Sequence, residues 1–243
     1  MTIYYMDCSN QPIMKKPLFL LLLAVCLQSA FAQDCAATYG VLKAGTRLEY
    51  TNFNKKGEAD LIIKQLCKQV ESRGDTLVAE MAAQGTDAKG KETFARSFSL
   101  KCLAGVVFMN MQSLLPTQAG GSPNPGLEME MEGGDLAYPA DMQPGQTLPD
   151  AEMTVKTSTG GFQLMKMRYL IGNRRVVGAE QVTTKAGTFD CLKITYDLEM
   201  NLLGRKTYQG AQWVAKNVGM VKTENYDKKG AVESSMQLTA FQK

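Results

Sequence analysis

Cysteine is the first residue to weigh for chemistry in this 243-residue chain. Cys35, Cys67, Cys102 and Cys191 follow residue 32, and in an oxidising compartment an even number favours disulfides, with three pairings open. A structural zinc site competes for the same thiols, but no C-x-x-C spacing occurs and the chain has no histidine. The missing histidine also removes Ser-His-Asp and Cys-His arrangements, a histidine general base and imidazole metal ligands. Paired carboxylates or a lysine would remain. Yet the acids are scattered or stand on solvent-facing strand positions, and no G-x-S-x-G, P-loop or G-x-G-x-x-G is present. No catalytic constellation assembles, so the chain reads as a non-enzyme with no catalytic residue, cofactor or metal.

Binding chemistry has more to draw on. Phe94, Phe98, Leu100 and Cys102 share a period-two face with Arg96, which makes that arginine a candidate inward anchor for an anionic group. Pairing with a buried acid or an edge position are its structural alternatives. Residues 33–243 hold 12 methionines, including the i, i+2 pairs Met109/Met111, Met129/Met131 and Met165/Met167. Such flexible, polarisable side chains fill gaps in cores, and they also line surfaces that accept varied apolar partners. In a curled sheet, three such pairs point to an adaptable apolar cavity.

Strands must position these residues. Alternating segments occur near 46–53, 58–71, 76–85, 91–102 and 106–112, then near 127–132, 151–158, 162–171, 174–184, 189–200, 205–214, 219–226 and 231–241. Three connections repeat one chemistry: Asn54-Lys55-Lys56-Gly57, Asp87-Ala88-Lys89-Gly90 and Asp227-Lys228-Lys229-Gly230. An Asn or Asp opening and a Gly close suit a hairpin turn with a positive-φ residue. The expected fold is mainly β, an antiparallel meander forming a curled sheet or incompletely closed barrel, as one domain over 33–243. Residues 113–125, rich in turn formers, make a long connection that reads as a lid or a plain surface loop, and 141–150 makes a second break. In 127–132 the three glutamates Glu128, Glu130 and Glu132 face solvent opposite Met129 and Met131. Cys191 falls on the more polar face of its strand with Lys193, Thr195 and Asp197, opposite Leu192 and Ile194.

The first 32 residues read as a cleavable secretory leader. Lys15 and Lys16 precede the apolar run Leu18 to Leu27, and Ala30-Phe31-Ala32 sets cleavage before Gln33, with Met14 as the natural start. That run is shorter than the roughly 20 residues of a spanning helix and no later segment approaches it, so no transmembrane segment is expected in the mature chain. Val25 before Cys26 and Asp34 before Cys35 argue against lipidation. The remaining 211 residues carry 25 Lys and Arg against 23 Asp and Glu, with no basic run that would mark a nucleic-acid partner.

The stretch from Val182 through Lys185, Gly187, Phe189 and Cys191 to Ile194, and the stretch Trp213 to Lys222 running on to Gly230, resemble a TapB-like family of exported bacterial proteins whose domain has no known function. The likeness is strongest over 136–241, and Lys185 departs from an expected proline. The resemblance implies a Gram-negative envelope location, in the periplasm or peripheral to the outer membrane, and an incompletely closed barrel like those of lipoprotein carriers. It supplies no catalytic residues. Two functions stay open: a binding or carrier module for an apolar or lipid-like ligand, and a structural or interaction protein docking an envelope partner.

Overall fold

The computed structural model describes residues 35–114, 127–201 and 204–243. The leader, its start at Met14 and residues 115–125 of the long connection lie outside the described residues. A first meander comprises β1 (Arg47–Phe53), β2 (Ala59–Arg73), β3 (Thr76–Asp87), β4 (Glu92–Leu103) and β5 (Val106–Asn110). After a 3-10 turn at Met111–Leu114 come β6 (Leu127–Gly133) and β7 (Asp135–Pro139). A second meander follows: β8 (Ala151–Thr159), β9 (Phe162–Thr184), β10 (Gly187–Asn201), β11 (Arg205–Ala215), β12 (Gly219–Tyr226) and β13 (Val232–Gln242). All pairings between these strands are antiparallel, in the order β6-β8-β9-β10-β11-β12-β13-β1-β2-β3-β4-β5-β7. The expected incompletely closed barrel is the fold observed.

The three repeated turns form as their side chains dictate. Asn54, Asp87 and Asp227 each accept two backbone N–H bonds on Oδ1, from the residues two and four further on. Gly57, Gly90 and Gly230 take φ of 77°, 80° and 78°, conformations that L residues avoid. Along β8 the period-two pattern buries Ala151, Met153, Val155 and Thr157. The opposite face carries ion pairs: Lys156 with Glu130 and Glu132, and Arg168 of β9 with Glu152.

Two boundaries differ from the sequence reading. The segments 162–171 and 174–184 are one strand, β9, bent where Asn173 and Arg174 together oppose Tyr196 alone. Asn173 has φ 52° there, and this bulge re-aims Arg174. Strand β7 was not expected, because two glycines precede it and a proline ends it.

The seam of the barrel lies between β6 and β7, which are consecutive in sequence but sit on opposite edges of the sheet. β6 pairs with β8 and β7 with β5. Gly134 joins them, donating its N–H to Glu152 O (2.9 Å) and accepting from Met111 N–H (3.2 Å). The break read at 141–150 is ordered: Gly145, Gln146 and Leu148 exchange backbone hydrogen bonds with Arg174 and Val176 of β9. Across the remaining gap reaches Arg174, fully buried, donating to Pro149 O (2.9 Å) and Ala137 O (3.1 Å) with its guanidinium 5.0 Å from the Tyr138 ring centroid. One arginine of β9 thus bonds β7 and the segment that precedes β8, where no strand ladder does.

Of the four disulfide candidates, Cys35 and Cys102 are bonded, while Cys67 and Cys191 are free thiols. Cys67 on β2 and Cys191 on β10 have four strands between them in the sheet order, and both lie buried as thiols in the same apolar cluster. The face assigned to Cys191 is not a wet one. It is buried with Trp213, Val182 and Phe189, and Trp213 is covered by Lys193 and Lys222, each 4.7 Å from its ring centroid.

Candidate functional site

Inside the barrel the two apolar clusters leave space. A chamber of about 260 Å³ is walled by Met109, Met111, Met153, Met220 and Met236, four tyrosines and aliphatic residues such as Leu136, Ile171 and Val214. A second space of about 120 Å³ shares Tyr39, Met109, Met220 and Met236 with the first and adds Met81, Phe98 and Leu100. The shared wall is therefore largely methionine, whose rotamers change at low cost. The larger chamber falls just short of the roughly 300 Å³ at which small-ligand pockets begin, and the smaller one borders it along those shared residues.

The polar groups in the chamber are neutral donors and acceptors. Tyr138 donates to Gln212 Oε1 (3.3 Å) and Tyr196 to Asn225 Oδ1 (3.5 Å). Burial, with Tyr138 nearby, pushes the Tyr196 phenol up to about 12, and burial likewise raises Tyr39 and Tyr169. Tyr196 is seated by a glycine: a Cβ on Gly210 would lie 2.4 Å from the Tyr196 ring, so only glycine lets the ring lie across its neighbouring strand.

Arg96 borders the smaller space, in register with Ala83 and 5.0 Å from the Phe94 ring centroid. Burial lowers its guanidinium from the ordinary arginine value. Met109 and Met111 line the chamber as a pair. The other two pairs lie along one three-stranded arm, where register sets Met129 beside Thr157 and Met165, Met131 beside Val155 and Met167, and Gly133 beside Met153 and Tyr169. Met153 and Tyr169 line the chamber, and Met131 packs against its core. Met129, 42% exposed, stands at the outer end of this stripe, and Met165 and Met167 flank it half-buried, outside the chamber wall.

Sequence spacing missed Met81, Met153, Met220 and Met236, which stand alone on four strands and converge only through the sheet order. It also missed Arg174. Neither free thiol is set up for chemistry. Burial, then Asp190 and Glu180, pushes Cys191 up to about 11, and burial raises Cys67. Among the described residues no group of three His, Cys, Asp or Glu gathers to hold a metal ion, and no helix is long and apolar enough to cross a membrane.

Fold and interior define an antiparallel barrel, closed but for one seam, around an apolar space. Residues 43–238 match the DUF3108-like family, a domain of unknown function, and the chain belongs to it. The match carries that description and not the TapB-like name. The chain is similar to a Bacteroides fragilis protein assigned as exported with a YmcC-like fold, at 21% identity and TM-score 0.69, covering 85% of this chain and 100% of that one. It is also similar to a Parabacteroides distasonis protein assigned as a lipoprotein, at 22% identity and TM-score 0.70, covering 85% and 99%. At these identities the likeness establishes fold. No curated protein matches the chain.

Proposed function

We propose that this chain is an exported, non-catalytic carrier that holds an apolar or lipid-like ligand inside the barrel. The observation behind this reading is the unfilled interior, with six methionines among the residues lining the two spaces. A core built only for stability would be packed to crystal-like density, since voids of this size forfeit contacts. Neutral phenols and one amide offer orientation without demanding a charged ligand at the centre. The leader ending at Ala32 and the TapB-like stretches support a periplasmic site of action.

The second reading, docking to an envelope protein, draws on the β8–β9 hairpin tip, where Phe162 is 78% and Leu164 59% exposed. The unfilled interior favours carriage over docking. Protein purified from the periplasm and analysed by native mass spectrometry and lipid extraction should show a co-purified lipid. A clean apo mass together with a reproducible protein partner in pull-downs would overturn the carrier reading in favour of docking.

A further inference from the structure

Among the described residues lining the larger chamber, no side chain carries a formal charge, and its hydroxyls are those of tyrosines and Thr223. Gln212 of β11 stands apart from them. It is only 7% exposed and lines the chamber. Its Oε1 accepts from the Tyr138 hydroxyl (3.3 Å), while its Nε2 has no hydrogen-bond partner among the described residues. Tyr138 is steadied in turn by Arg174, whose guanidinium lies 5.0 Å from its ring centroid and is itself fixed to Pro149 O and Ala137 O. A donor on Oε1 sets the amide so that its N–H end is the one left over, and a phenol beside a guanidinium polarises that amide further.

Exposure along the interior face gives the direction of access. β10 and β11 run in unbroken register, Ile194 with Gln212, Tyr196 with Gly210, Leu198 with Tyr208 and Met200 with Lys206. On this face Ile194 and Gln212 are buried, Tyr196, Leu198 and Met200 are half-buried, and Tyr208 and Lys206 are exposed. The interior therefore becomes wetter toward the β10–β11 turn and is dry at Gln212. A molecule entering from that turn meets apolar surface first and the unpaired amide last.

From this arrangement we infer that the ligand is uncharged and carries a carbonyl, of a ketone or an ester, whose oxygen accepts from Gln212 Nε2 while its apolar body lies against Leu198, Met220 and Met236. This rests on the carrier reading. A donor left unmade in a dry wall is costly, and a carbonyl that meets it recovers the bond. A plain hydrocarbon fills the space and leaves the amide unpaired. A carboxylate offers an acceptor but brings a charge that nothing in the wall balances.

The test uses prodan, an uncharged naphthyl ketone whose emission moves to the red when its carbonyl accepts a hydrogen bond, with the unaltered protein and with Gln212→Met. Methionine keeps the length of the side chain and drops the donor. Gln212→Met should weaken prodan about three- to tenfold and move its bound emission to the blue, with cooperative thermal unfolding reporting that the variant is folded. In the unaltered protein 2-undecanone should displace prodan at a concentration about tenfold below that of undecanoate. If Gln212→Met does not fold, the carbonyl stretch of carbon-13-labelled 2-undecanone bound to the unaltered protein decides. A stretch below its value in hexane supports the bond, and one equal to it overturns the inference. Equal displacement by ketone and carboxylate, or unchanged affinity and emission in folded Gln212→Met, overturns the inference and leaves the carrier reading standing. If prodan does not bind and neither 2-undecanone nor undecanoate shifts the native mass, the carrier reading falls with it.

Discussion

Replacing Arg174 with alanine takes away the group that bonds β7 to the segment before β8, and the consequence can be worked from its contacts. Two carbonyls, Pro149 O and Ala137 O, lose a cationic donor, and a buried acceptor left unmade costs roughly 1–3 kcal/mol each. The contact with the Tyr138 face adds about 1 kcal/mol, and the void left by a fully buried side chain adds more. Against this stands relief from burying the guanidinium, which is the leading cause of its lowered pKa. A net loss of about 3–4 kcal/mol remains, which for a domain of this size lowers Tm by about 10 °C. Thermal unfolding followed by the fluorescence of Trp213, the only tryptophan, measures it. Hydrogen exchange should show 135–139 and 145–148 opening faster while the β13–β1 ladder stays protected. The comparison with Arg174→Met is decisive, because methionine keeps most of the volume and drops the donors. If Arg174→Met is as stable as the parent with unchanged exchange at 135–139, the guanidinium contributes nothing net to closing the seam.

At pH 8 the folded protein should resist iodoacetamide at Cys67 and Cys191, whereas guanidinium-unfolded protein labels at both. Folding raises Cys191 to about 11 from an ordinary thiol value of about 8.5, so its contribution to stability is full below about 8.5 and is lost as pH rises toward 11. Urea midpoints at pH 8 and pH 10.5 should fall in that order, and rapid native labelling of Cys191 would refute the burial argument. Gly210→Ala forces the Tyr196 ring off its seat and toward the chamber, with an expected cost of about 1–3 kcal/mol. Urea denaturation and weaker prodan binding check it together, and an unchanged pair of measurements would show that Tyr196 does not shape the chamber.

Much of the fold was legible because alternation is local. Each buried position on β8 can be read from its neighbours two residues away, and the turns at Asn54, Asp87 and Asp227 declare themselves within five residues. What escaped depends on geometry that no short window contains. The bulge at Asn173 reads as a break between two strands, and it put Arg174 at an apparent strand start, away from its partners in the seam region. Cys102 finds Cys35 and not Cys67 because of where the N-terminal segment packs, which spacing does not encode. The pair Met109/Met111 pointed to the chamber, while Met81 and Met236 came into view only once β3 and β13 were placed around the same interior. Arg96 was visible as an anomaly, a charge on an apolar face, and its neighbourhood needed the register of β4 against β3.

The pairing of β13 with β1 carries a consequence for how the protein comes into being. Thr51 meets Thr239 across that ladder, 188 residues apart. β1 is made early and its outer edge has no partner until nearly all of the chain has followed. During that interval the nascent sheet presents an open row of amides and carbonyls, the arrangement most prone to pair with a neighbouring molecule. Ring closure of this kind is slow because the loop must be closed before the contacts reward it. The free edge of β1 is therefore exposed for the time it takes the last strand to arrive, and the rate of that closure sets how long the chain is open to mispairing.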